Sequence, residues 1–167
     1  MEGIRILDSI RAIRGFSPHM GNIEHLSIYI NGERLDEILL KVNERYLGLI
    51  PAWLDYYDKD SESSINERKY VLEKTKLSEE IKILPILLCP EDFDFSCTII
   101  VVEVILRENM VIWNKFGVDI TPFDEDEKEL PQYIGKKVVW IKEIDSFKFS
   151  RSEYLHCVEQ FGMIEHI

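Results

Sequence analysis

Few residues in this chain have the types and spacing that chemistry requires. Glu103 is the one ionisable residue inside an apolar run, flanked by Val102 and Val104. A carboxylate desolvated there would hold its proton more tightly and could serve as a general acid or base. The same glutamate could equally pair with Lys115 across a hairpin or face solvent. Cys89 and Cys97 bracket a short acidic stretch. Two thiolates on one loop are half of a tetrahedral zinc site. The spacing is not Cys-x-x-Cys, however, and neither Cys157 nor any of His19, His25, His156 and His166 stands at a ligand-like distance in sequence. The plain reading is two small apolar residues at the mouth of a strand. His156, near Glu153 and Glu159, could shuttle protons, but no nucleophile accompanies it and it reads as a solvated residue on a helix face. No metal, cofactor or catalytic residue is therefore assigned. The alternatives are an enzyme using Glu103, Cys89 or Cys97, as a small hydrolase or a metal-dependent catalyst, and a structural, self-associating protein.

The other concentration of chemistry is acidic. Glu91, Asp92 and Asp94 alternate with Phe93 and Phe95, and Phe123 precedes Asp124, Glu125, Asp126, Glu127 and Glu129. Such runs are ordinarily solvated loops that keep a protein soluble. Interleaved with phenylalanines, they also form the pattern of apolar anchors inside a negative rim, suited to a basic protein partner.

Composition bounds these readings. The chain has 167 residues and a formal charge of −11, with 31 Asp+Glu against 20 Lys+Arg. That is one domain by length, and a chain of this size buries roughly 70% of its unfolded surface without staples. The acidic balance repels nucleic acid and anionic membrane alike. No basic n-region with an apolar core opens the sequence, and its longest apolar run, 99–106, contains Glu103 and is too short to cross a bilayer. Three cysteines, an odd number, read as reduced thiols in a cytoplasmic protein. No Gly-rich phosphate loop, Gly-x-Ser-x-Gly elbow or His-Glu-x-x-His is present.

The elements that must position these residues are legible in part. Residues 1–24 fit either a strand or a short helix, broken by Gly15, Pro18 and Gly21. Leu26, Ile28 and Ile30 alternate with Ser27 and Tyr29 as a half-buried strand, and Asn31-Gly32 turns the chain. Leu35, Ile38, Leu39, Val42 and Tyr46 form one stripe of a helix that ends before Gly48, with Asp36, Glu37, Lys41, Glu44 and Arg45 on its wet side. Trp53, Tyr56 and Tyr57 are expected against a sheet. Residues 58–64 form a polar loop whose resemblance to a calcium loop fails, with Ser63 for the glycine at the sixth position and Lys69 for the acid at the twelfth. A helix is expected over 66–76 and a strand over 81–89, then a hairpin of 97–106 and 111–118. A loop over 123–129 and one or two strands in 138–149 follow. Ser150 and Glu153 have the capping-box spacing for a last helix, 151–161, with Tyr154, Leu155, Val158 and Phe161 inward. Strands and helices are segregated, which gives an α+β class: a mainly antiparallel sheet with two to three helices packed on it.

The segments Leu26-Ser-Ile-Tyr-Ile-Asn-Gly-Glu-Arg-Leu35, Tyr46-Leu-Gly-Leu-Ile-Pro51, Val111-Ile-Trp113-Asn-Lys-Phe116 and Phe147-Lys-Phe149-Ser-Arg-Ser-Glu-Tyr154, with the Leu87-Leu-Cys89 to Cys97 stretch, resemble a family of small uncharacterised bacterial proteins. In that family the middle segment is richer in cysteine and glycine; residues 91–96 depart from it here. The acidic, motif-poor α+β character is also similar to immunity proteins of bacterial toxin systems, which bind and block a toxin domain without doing chemistry. That likeness implies a non-enzymatic cytoplasmic protein with a basic protein partner. It carries no site residues over and leaves the oligomeric state open.

Overall fold

The computed structural model describes residues 6–16, 23–54, 62–90, 98–122 and 134–162. Every strand pairing among them is antiparallel. Together with three α-helices they give the expected α+β architecture.

Within the ambiguous 1–24 segment, the described residues 6–16 hold a strand, β1 (Ile10–Gly15), paired with β2 (His25–Ile30). Asn31 and Gly32, with φ of 52° and 82°, form the tight turn whose two positive φ values match the twist of a hairpin. It leads to the two-residue β3 (Glu33–Arg34), completing a three-stranded sheet in the order β1-β2-β3. The larger sheet runs β4 (Ile50–Pro51), β5 (Lys82–Leu88), β6 (Ile99–Arg107), β7 (Met110–Asp119), β8 (Val138–Ile141). One half of β7's second edge carries β8, and the other half carries β9 (Phe147–Ser150). The β6–β7 hairpin closes through Glu108 and Asn109, as the sequence reading expects.

Three expectations need correction. The first helix, α1, is only Leu35–Leu40, and Tyr46 belongs to a separate 3-10 turn, Glu44–Tyr46. The helix stops because Asn43 is extended and its side chain accepts from the Arg45 amide, starting a new turn with its own cap. Asp36 is also not on the wet side. It is buried, accepts from the Gly48 amide at 3.0 Å and forms an ion pair with Arg34. The hydrogen bond to Asp36 raises the Arg34 pKa. The second helix, α2 (Glu62–Thr75), begins earlier than expected and takes in the end of the 58–64 polar stretch.

The core is aromatic at its centre. Trp53, Trp113, Tyr154, Phe116 and Phe149 are fully buried. Trp113 meets Phe149 and Trp53 meets Phe161 edge-to-face, with ring centroids 5.2 and 5.5 Å apart. The Trp53 indole donates to the Pro85 carbonyl at 3.0 Å, next to an irregularity in the β5–β6 register between Pro85 and Leu87. Arg68 of α2 donates to the carbonyls of Trp53, Leu54 and Phe161, tying three distant segments together. The last helix, α3 (Arg151–Gln160), buries Tyr154 and Val158, with Phe161 just after it, as the spacing predicts; Cys157 is buried as well, and Leu155 is only half-buried. Only half of its capping box forms. The Ser150 hydroxyl accepts from the Glu153 amide, but the Glu153 carboxylate accepts instead from the Ile10 amide at 2.7 Å and anchors β1.

Candidate functional site

Glu103 sits on β6 opposite Lys115 of β7, beside a bulge in which Asn114 is the extra residue. The bulge turns Asn114 toward the glutamate, and its amide donates to Oε1 at 2.9 Å. The Lys115 ammonium lies 3.7 Å from the other carboxylate oxygen and 4.3 Å from the centre of the Trp140 ring. Trp140 and Val138 crowd Gly117, where a Cβ would come within 2.3 Å of Val138. The carboxylate, amide, ammonium and indole thus complete one another on the face of the sheet away from Trp113 and Phe116. The glutamate is half-buried rather than desolvated, and the cross-hairpin pair with Lys115 is formed. Sequence reasoning named Glu103 and Lys115. It missed Asn114 and Trp140, because a bulge leaves no mark in a two-residue alternation.

The remaining candidates stand apart. Cys89 is half-buried at the end of β5 and Cys157 is buried in α3. Burial, with Glu153 as a secondary cause, pushes the Cys157 thiol up to about 12, so it is held protonated and unreactive. His156 is exposed on α3. His25, not singled out by pattern, is buried with Nδ1 2.9 Å from the Leu26 carbonyl, so Nδ1–H is the donor. Burial also pushes the Tyr70 hydroxyl up to about 12, with nearby Asp119 adding to it, and the hydroxyl donates to the Ile134 carbonyl. Among the described residues, no three of His, Cys, Asp and Glu converge as metal ligands would. No helix among them is long and apolar enough to cross a membrane.

Cys97 and the acidic residues named above, Glu91, Asp92 and Asp94 with Phe93 and Phe95, and Asp124, Glu125, Asp126, Glu127 and Glu129 with Phe123, lie outside the described residues. The structure fixes the ends of the two segments. The first leaves the end of β5 after Pro90 and returns at Thr98 before β6. The second leaves after β7 and returns at Ile134 before β8. At the second exit the Asp119 carboxylate accepts from Thr121 at 2.7 Å and from the Gly135 amide at 3.0 Å, pinning both ends. Because β6 and β7 are neighbours and β8 pairs the C-terminal half of β7, both segments spring from the same end of the larger sheet. Comparison with protein-family models, with curated proteins and with solved structures found no match.

Proposed function

We propose that this is a non-enzymatic cytoplasmic protein that binds a basic protein partner through an acidic surface, in the manner of an immunity protein neutralising a bacterial toxin. The observation that carries the reading is the placement of charge. Two segments, one with three acids interleaved with two phenylalanines and one with five acids behind Phe123, sit in a chain of net charge −11. Both are anchored at one end of one sheet. A shared origin lets eight carboxylates act as one field. Such fields raise association rates by roughly one to three orders of magnitude and lose that advantage as salt rises. The state of Glu103 is compatible with the same reading: its carboxylate is paired with Lys115 and hydrogen-bonded by Asn114.

The test is kinetic. Reversing Asp124, Glu125, Asp126, Glu127 and Glu129 to lysine should slow association with the partner by about tenfold or more and flatten its salt dependence. Dissociation should change less. Unchanged association kinetics would remove this segment from the interface.

A further inference from the structure

The edge of the smaller sheet carries the opposite charge. Among the described residues β1 is an edge strand whose one strand partner is β2, with Asp8 just before it donating its amide to the Lys148 carbonyl of β9 at 2.8 Å. Its hydrogen-bonding phase follows from two contacts. The Asn31 amide donates to the Ser9 carbonyl at 3.0 Å, so Ser9 and Asn31 form a hydrogen-bonded pair, and the alternation continues through Arg11–Tyr29 and Ile13–Ser27. The main-chain groups of Ile10, Ala12 and Arg14 therefore point away from β2. Ile10 confirms this phase, since its amide donates outward to Glu153. Glu153 belongs to α3, which packs against β1, and blocks the edge at that end; Ala12 is half-buried, and among the described residues no hydrogen bond is made to the outward main-chain groups of Ala12 and Arg14.

Around them stand Arg11, Arg14, Ile13 and, just past the strand, Phe16; both arginines are exposed, Ile13 is 42% exposed and Phe16 is 60% exposed. Neither arginine forms an ion pair among the described residues. Within Ile10–Gly15 there is no acid to offset them. Cations are one device that protects a sheet edge from indiscriminate pairing. They also set which strand can pair there, because extended segments gain affinity from main-chain hydrogen bonds and selectivity from flanking side chains.

We propose that the β1 edge accepts an extended acidic segment of a partner protein as an added antiparallel or parallel strand, hydrogen-bonded to Ala12 and Arg14 and held by Arg11 and Arg14. The chain's overall negative charge does not forbid this. The Debye length is about 8 Å at physiological ionic strength, so the nearest charges decide the sign at this edge. A second copy of the chain is the poorer occupant, because β1 against β1 would bring both pairs of arginines into one short ladder. This surface is separate from the acidic segments, and its test is independent of the function proposed above.

The probe is a synthetic extended peptide with Glu at every third position and Val and Thr between, so that carboxylates stand on both faces of the added strand as Arg11 and Arg14 do on β1, with a Lys-for-Glu version as control. Binding is read by fluorescence anisotropy, and amide hydrogen exchange is read by NMR. The Glu peptide should bind and slow exchange at Ala12 and Arg14, and the Lys peptide should bind at least about tenfold more weakly. Ala12→Pro removes the outward donor without removing a β1–β2 hydrogen bond, a position where an edge strand tolerates proline. It should weaken the Glu peptide by at least about tenfold, as should R11E/R14E, a surface change that keeps the fold if Ala12→Pro does not. Equal binding of the two peptides, undiminished binding to R11E/R14E, or unchanged exchange at Ala12 and Arg14 would overturn the proposal. So would a concentration-dependent mass of the free protein that R11E/R14E alters, which would assign the edge to a second copy.

Discussion

Cys157 shows how burial governs reactivity at a single residue. Its thiol is pushed up to about 12, so the folded chain keeps a proton that the unfolded chain sheds near its ordinary value, about 8.5. The corresponding stability is complete below that ordinary value and fades as pH rises from there toward about 12. Alkylation of the native protein at pH 8, mapped by mass spectrometry, should therefore leave Cys157 unmodified while half-buried Cys89 reacts. Labelling of Cys157 at the rate of Cys89 would contradict its burial. Glu103 behaves as one member of a partly solvated pair. Glu103→Gln should lower stability by about 1 kcal/mol or less, measured by urea unfolding. A loss several times larger would mean that the carboxylate supports more than Asn114 and Lys115. Gly117→Ala should cost more, about 1–3 kcal/mol, because the new methyl group meets Val138, Trp140 and the Val139 carbonyl.

Elements differ in how far local pattern determines them. The β6–β7 hairpin is legible because Ile99, Ile100, Val101 and Val102 are buried on both faces and a two-residue turn is the shortest link between antiparallel strands. The last helix is legible from Ser150 and the spacing of Tyr154 and Val158. What escapes pattern is decided by distant partners. The stripe from Leu35 to Tyr46 has helical period, yet the helix breaks after Leu40, where Asn43 starts a capped turn. Asp36 is drawn inward by Arg34 and the Gly48 amide, which no periodicity encodes. β1 alternates weakly and is held as a strand by β2 and by Glu153, 143 positions away. Removing these partners should be costly in proportion. Asp36→Ala should destabilise by about 3 kcal/mol, since it leaves Arg34 without its inward partner and the Gly48 amide unpaired. Ser150→Ala, which removes one helix cap, should cost about 1 kcal/mol. Equal losses from the two changes would contradict this ranking.

At the scale of the whole molecule, the acidic segments leave from and return to one end of the larger sheet, whereas Arg11 and Arg14 lie on β1 of the smaller one. The clustering of the acids was legible in the sequence. Their common origin was not, because it depends on β5, β6, β7 and β8 being neighbours. The most direct test of the binding reading compares two tagged baits in lysate of the source cells, the native protein and the Asp124–Glu129 charge-reversed variant, at low and moderate salt. Retained proteins are identified by mass spectrometry. The account predicts one basic protein held by the native bait at low salt, released as salt rises, and not held by the variant. A retained protein that is indifferent to both salt and charge reversal, or no basic protein on the native bait, would contradict it.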